Sequence, residues 1–354
     1  MFHRGRSARK HLPAQASFGI NRPIMKKSLD AKLARITAGK YKPADFIVAD
    51  AKDPEMSAGV SSPGPKDLHH EGMGFHNVET FRQSVIDVVK HGVVDIMLVA
   101  ASSLEAVVAR GVFKTSHVTP AIRANDATDI WRARGSSYVK EFARPFRTAN
   151  LAHCRKFSDL GLYSVTFNNN LSADYAHLEA YNQFRAEATK LKFRHFLEVF
   201  NPNAPQNLSP EQVPDFVNDN ILRCIAGMTK ADRPLFLKMP FNGRKALEEL
   251  AAYDAELVVG ILGGSSGTTR DTFELLHQGE KSGARVALFG RKIKLAESPL
   301  DLLALFRPVI ERDLSPAQAV KQYHGVLTQK KLRAVRSLED DQMITESVLE
   351  GYGT

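Results

Sequence analysis

Residues 256–293 read ELVVGILGGSSGTTRDTFELLHQGEKSGARVALFGRKI. The stretch opens on an apolar run, Glu256–Leu262, and passes through a Gly-rich turn. It then enters a helical pattern, Thr268–Lys281, stopped by Ser282-Gly283, and returns to a second apolar run, Arg285–Phe289. Apolar runs without polar alternation fit parallel strands buried on both faces, and a glycine just past the last periodic residue is a helix stop. The stretch is one strand–helix–strand unit.

The same unit recurs upstream. Six further runs precede it: Asp45–Ala49, Asp95–Ala100, Val118–Arg123, Leu162–Phe167, Phe193–Phe200 and Pro234–Met239. Helical patterns lie between them at Val78–His91, at Leu171–Lys190 and from Ser209, an N-cap followed by Pro, to about Met228. Two more, Pro299–Ile310 and Ser315–Leu327, follow the last run. Eight strand–helix units over roughly 260 residues predict an α/β fold, a (β/α)8 TIM barrel with a basic N-terminal extension and extra C-terminal helices. A doubly wound open sheet fits less well, because no Gly-x-Gly-x-x-Gly follows the first run. The expected organisation is an arm at 1–40, a barrel at 41–335 and a tail at 336–354.

The charge supports that division. The chain of 354 residues carries +9, and residues 1–40 alone hold ten Lys or Arg against one acid, Asp30. The rest is balanced, so the high isoelectric point describes an arm and not a basic body, and no nucleic-acid partner is expected. The arm reads as a disordered leader, a transit-type peptide or a segment upstream of a start at Met25. No run of 18 apolar residues exists, so no membrane span is expected. Cys154 and Cys224 make neither a disulfide framework nor a Cys-x-x-Cys zinc pair. With no secretory signal, a cytoplasmic location is expected.

Two charged residues interrupt apolar runs. Lys238 lies late in the sixth run, where burial lowers an amine's pKa and frees it to attack a carbonyl; an ion pair is the bland reading. Glu198 lies late in the fifth run, placed for proton transfer beside that amine, or for a plain salt bridge with it. Asp50, ending the first run, suits a substrate hydroxyl, and Lys52 and Asp53 begin the loop after it. Gly263, Gly264 and Ser265 after the seventh run, with Gly290 and Arg291 after the eighth, form a phosphate signal at the two strands where barrels commonly bind phosphate. The insertions at 51–76 and 124–160 would lie at the same mouth, with Arg123, Trp131 and Asn168 near its rim. His69, His70, Glu71 and His76 are a rival metal cluster, but their spacing matches no strong motif.

The order Asp50, Glu198, Lys238, Gly-rich turn, Gly290-Arg291 resembles the class I, Schiff-base, aldolase superfamily. Leu197-Glu198 is similar to the Leu-Glu pair of tagatose-bisphosphate aldolases. Ala287–Ile293 is similar to the Gly-Arg endings of these and of sulfofructose-phosphate and archaeal-type fructose-bisphosphate aldolases. Asp50-Ala-Lys52 is similar to an Asp-Gln-Arg sequence. The resemblance covers roughly residues 44–330. It implies that Lys238 forms an imine, Glu198 moves protons and Asp50 contacts substrate hydroxyls. It further implies that Gly264, Ser265, Gly290 and Arg291 hold the phosphate of a small phosphorylated sugar or related carbonyl compound; Gly263, Lys52 and Asn168 are candidate binding residues beside them. No cofactor or metal is implied, and a homo-oligomer is expected. Lys292 stands in place of the usual Asn, Ala51 in place of Gln, and Phe200 and Phe241 where a tyrosine would be expected. Two other functions fit the same sequence: a metal-dependent lyase or isomerase using His70 and His76, and a non-catalytic phosphometabolite-binding barrel whose arm recruits a partner.

Overall fold

The computed structural model describes residues 25–127, 133–264 and 267–350. Eight parallel strands form the sheet: β1 (Ile47–Lys52), β2 (Ile96–Val99), β3 (Thr119–Arg123), β4 (Leu160–Thr166), β5 (Arg194–Phe200), β6 (Leu237–Lys238), β7 (Gly260–Leu262) and β8 (Val286–Phe289). Their order is β6-β5-β4-β3-β2-β1-β8-β7. A parallel bridge between Met239 and Ile261, with Met239 N–H donating to the Gly260 carbonyl at 3.0 Å, joins β6 to β7 and closes the ring. This is a (β/α)8 barrel.

All eight predicted runs became strands, with ends shifted by up to four residues. The shortest strand is at Pro234–Met239, where only Leu237–Lys238 pair in the ladder. Pro234 has no N–H to give, which removes one ladder bond at that end. The helices follow their strands: α1 (Ser28–Thr37) before β1, α2 (Val78–His91), α3 (Ala101–Ala109), α4 (Leu171–Leu191), α5 (Val213–Ile225), α6 (Arg244–Tyr253), α7 (Thr269–Lys281) and α8 (Pro316–Gln329). Helices α3 and α6 are not among the patterns read from the sequence. In α3 the segment ASSLEAVVA is almost uniformly small or apolar and gives little contrast between faces. The predicted Ser209 cap is present as a capping box with Gln212, opening a 3-10 turn that leads into α5. Inside the insertion at 124–160, Asp126–Ala127 pairs antiparallel with Pro145–Phe146, a ribbon the sequence reading leaves as loop.

Side chains alternate across each strand. Ile47, Ala49 and Ala51 of β1 join Ile96, Leu98, Phe196, Phe236 and Leu288 in an inner core. Val48, Met97, Val99, Leu197, Met239 and Phe289 face the helices and form the outer core. Leu29 and Ile36 of α1 belong to the inner core and plug the barrel floor. The cations of this segment are used locally. Lys32 pairs with buried Asp95 at 2.8 Å, Arg35 with Asp45 at 2.6 Å, and Lys27 Nζ donates to the Phe113 and Ser116 carbonyls. Residues 1–24 of the arm lie outside the described residues. No described helix is long and apolar enough to cross a membrane.

Candidate active site at the C-terminal mouth of the barrel

The inward parity of the strands decides which polar side chains meet. Positions 123, 164, 198 and 238 continue the inner-core rows toward the C-terminal ends of β3 to β6. Ser164, Glu198 and Lys238 are direct neighbours in the ladder. Glu198 is 1 % and Lys238 6 % exposed. Lys238 Nζ pairs with Glu198 Oε1, while Glu198 Oε2 accepts from Ser164 Oγ at 2.6 Å and from Arg123 Nη2 at 3.4 Å. Burial pushes the Glu198 carboxyl upward, but Lys238, Arg123 and Ser164 outweigh it and hold it below its ordinary value.

Arg123 is the hub of the second half of this network. Nη1 meets Asp53 at 2.6 Å, Nε meets Asp126 at 3.1 Å, and Nη2 also donates to Ser164 Oγ at 3.0 Å. Burial disfavours its charge, yet Asp53, Glu198 and Asp126 together raise its pKa. Asn125 fixes Ser164 from behind: its amide donates to the Ser164 carbonyl and its oxygen accepts the Ser164 N–H.

Above the network lies a cavity of about 550 Å³, of a size that suits a small metabolite. Lys238, Glu198, Lys52, Gly263, Gly264, Gly290 and Arg291 all line it, as do Arg123, Asp53 and Lys294. Two glycines fit because nothing larger would. A Cβ at Gly290 would stand 2.5 Å from the Ala51 carbonyl oxygen, and one at Gly263 2.4 Å from the Phe289 ring. Gly264 has φ +61°, a conformation that glycine adopts without penalty. Arg291 Nη2 donates to the Gly264 carbonyl at 2.7 Å, tying the two turns together.

Two residues expected at the site are placed elsewhere. Asp50 falls on the opposite face of β1 from Ala49 and Ala51, so it does not line the cavity. It is fully buried, with Lys52 Nζ 3.3 Å away, and burial pushes its carboxyl up to about 6 against the pull of Lys52. Asn168 is consumed in joining loops: its amide donates to Asn203, its oxygen accepts the Ala204 N–H, and its N–H donates to Asp174. Ser265 and Trp131 lie outside the described residues. Of the histidine cluster, His70 pairs with Asp67 and His69 meets the Arg333 carbonyl. Among the described residues no three His, Cys, Asp or Glu side chains converge as a metal site.

The sequence reading underrated Arg123 and missed Ser164, Asn125 and Lys294. For Arg123 the signal exists: it ends an apolar run as Lys238 and Glu198 nearly end theirs. For Ser164, inward parity within LYSVTF was available. Lys294 lies beyond the strand and has no periodic context.

No protein-family model and no curated protein matches the sequence. Solved structures do resemble the fold. A fructose-bisphosphate aldolase from Slackia heliotrinireducens superposes with TM-score 0.60 at 13 % identity, covering 88 % of this chain and 93 % of that one. A Schiff-base-forming fructose-1,6-bisphosphate aldolase gives 0.58 at 11 % identity, covering 80 % and 99 %. An archaeal fructose 1,6-bisphosphate aldolase gives 0.57 at 12 % identity over the same shares. At such identities the likeness is one of fold, and the chemistry must be argued from the side chains of this chain.

Proposed function

We propose that this barrel is a class I aldolase-type lyase in which Lys238 forms a Schiff base with a small phosphorylated ketose or related carbonyl compound. The observation that carries the reading is a buried, inward-facing lysine bonded to a buried carboxylate at the base of a metabolite-sized cavity. The fold likeness to Schiff-base aldolases supports it.

The residues support each step. Transfer of the proton shared by Lys238 and Glu198 to the carboxylate leaves a free amine, whose lone pair attacks the substrate carbonyl carbon. Glu198 returns the proton to the carbinolamine oxygen and relays to it a second one from the nitrogen, so that the oxygen leaves as water and the nitrogen becomes an iminium. Glu198 then takes the proton of the C4 hydroxyl. The C3–C4 electron pair flows into the iminium, releasing an aldehyde and leaving an enamine. Protonation at C3 and hydrolysis release the second product and restore Lys238. Ser164 and Arg123 hold Glu198 in place throughout. Gly264, Gly290, Arg291 and Lys52 take the phosphate through backbone N–H groups and cationic side chains, while Gly263, whose N–H donates to the Leu288 carbonyl, gives the turn its close approach to the cavity.

Borohydride reduction in the presence of dihydroxyacetone phosphate tests the reading. The expected result is a stable adduct mapped by peptide mass spectrometry to Lys238 and absent in Lys238→Met. Folded protein that gives no adduct with this ketone or a panel of sugar phosphates would overturn it.

A further inference from the structure

The scheme above accounts for a carbonyl and a phosphate and leaves the rest of the ligand without a place. A second cavity, of about 330 Å³, adjoins the first, and Asn201, Pro240, Leu262, Gly263 and Gly264 line both. Its outer wall is the C-terminal segment Glu346–Leu349. That segment is tied to α7: Asp271 accepts from the Thr345 N–H at 2.8 Å and from the Thr345 hydroxyl at 2.6 Å, and Gln278 donates to the Leu349 carbonyl at 3.1 Å. The two cavities differ in charge. Lys52, Arg123, Lys238, Arg291 and Lys294 line the first, whereas among the described residues no Lys or Arg lines the second. The charged residues of its wall are Asp271 and Glu346. Burial pushes the Asp271 carboxyl upward, but hydrogen bonds from Thr345, Thr268 and Glu346 outweigh it and hold the group below its ordinary value. The start of α7, where an anion would otherwise be welcome, is occupied. The Thr268 N–H goes to Asp271, the Thr269 N–H to Asp341, and the Asp271 N–H to the Thr268 hydroxyl. The cavity instead offers amide, hydroxyl and apolar surface. Asn201 and Asn242 bond each other amide to amide at 2.8 and 2.9 Å, with Ser347 and Phe241 beside them.

We propose that the second cavity takes the uncharged, hydroxylated end of the ligand, so that the substrate class is a sugar monophosphate and sugar bisphosphates are rejected. The inference deepens the aldolase reading and rests on it for the place of the carbonyl. The placement follows from the order of the strands. Lys238 precedes Pro240 by two residues, so a carbonyl held by the lysine has this cavity beside it. Lys52 and Arg291 belong to β1 and to the turn after β8, on the other side of β7. A ligand with its phosphate there and its carbonyl at Lys238 has its remaining carbons left for the second cavity. A phosphate at that far end would meet the Asp271 carboxylate with no lining cation to offset it, and juxtaposed like charges are costly. Hydroxyl groups there meet amides and a serine instead. Specificity is then set by repulsion of the wrong ligand as much as by fit of the right one.

The test uses probes without a carbonyl, so that it reads binding and not turnover: glycerol 3-phosphate, glucitol 6-phosphate and glucitol 1,6-bisphosphate. Isotherms come from ligand-dependent shifts in Tm of the whole protein. Glucitol 6-phosphate should bind about tenfold more tightly than the bisphosphate. It should also bind about fivefold more tightly than glycerol 3-phosphate, whose chain stops short of the second cavity. Ser347 is exposed, so a lysine fits there without disturbing the core. Ser347→Lys should bring the bisphosphate to within about twofold of the monophosphate by supplying the missing cation. Wild-type protein that binds the bisphosphate as tightly as glucitol 6-phosphate would overturn the inference. So would equal affinity for glucitol 6-phosphate and glycerol 3-phosphate, or a ratio left unmoved in Ser347→Lys and Asn242→Lys alike. The borohydride adduct of dihydroxyacetone phosphate is measured in parallel. A missing adduct in wild type strikes at the aldolase reading, and the isotherms still decide on the second cavity. An adduct at Lys238 in a protein that prefers the bisphosphate strikes at the second cavity alone.

Discussion

Asp50 illustrates how one position of strand register redirects a residue's role. The sequence places it at the end of a β-rich run, where barrel chemistry resides. Period-two geometry then turns it to the outer face. Being an acid whose folded pKa, about 6, lies above its ordinary value near 3.8, it costs stability where it must ionise. The contribution is nil below pH 4 and grows unfavourable as pH climbs from about 4 to 6, reaching roughly 1–3 kcal/mol at neutrality. Asp50→Asn should therefore raise the denaturation midpoint at pH 7.5 and leave it nearly unchanged at pH 4, as read in urea titrations at the two pH values. A loss of stability at pH 7.5 would mean that the pair with Lys52 outweighs the burial of the charge. Lys238 and Glu198 were legible because a charge inside a buried run demands an explanation. Asp50 looked equivalent to them, and only the count from a strand start, which the sequence fixes to within a few residues, separates inward from outward. Arg123 was undervalued for the opposite reason. An arginine at a run's end reads as solvent-facing until Asp53 and Glu198 from two other segments, and Asp126 three residues on, are found around it.

At the level of the strand and its turn, glycine governs how closely neighbours approach. Gly260 lies inside the ELVVGIL run, and a Cβ there would sit 2.4 Å from the Leu237 carbonyl oxygen and 2.9 Å from Val286 Cβ. Backbone cannot yield as a flexible side-chain tip does, so Gly260→Ala must part β7 from β6. We expect a loss of about 1–3 kcal/mol or more, together with slower adduct formation at Lys238, the residue next to the displaced carbonyl. An unaltered midpoint in thermal denaturation would show that this seam has slack. The strand–helix rhythm was readable because eight buried parallel strands cannot alternate polar and apolar residues. The ribbon at Asp126–Ala127 and Pro145–Phe146 was not, since two-residue strands have no period. The plug helix α1 was hidden behind its charge. Lys32 and Arg35 look like part of a solvated arm, but they anchor Leu29 and Ile36 beneath the barrel by pairing with Asp95 and Asp45.

On the scale of the whole molecule, the mouth divides by charge. Around Arg123 and Lys238 stand the acids Asp53, Asp126 and Glu198; toward the turns after β1 and β8 stand Lys294 and Lys52, the latter paired with Asp50. The reaction centre is thus internally compensated. A chain-wide net charge gives no hint of this, because the excess in residues 1–40 masks a neutral body. Global composition located no function.

The cavity wall that carries Lys52 and Arg291 is built where the first strand meets the last. Ile47 to Asp50 pair with Val286 to Phe289, more than two hundred residues away in sequence. Pairing of such distant segments carries a large ordering cost and belongs to the slow part of folding. An anion bridging Lys52 and Arg291 would grip only a chain whose two ends have already met. In kinetic terms it acts as a latch and not as a template. Phosphate should slow unfolding in a stopped-flow denaturant jump while leaving the refolding rate unchanged. Faster refolding would mean that the ends of the chain find each other before the rest of the barrel has formed.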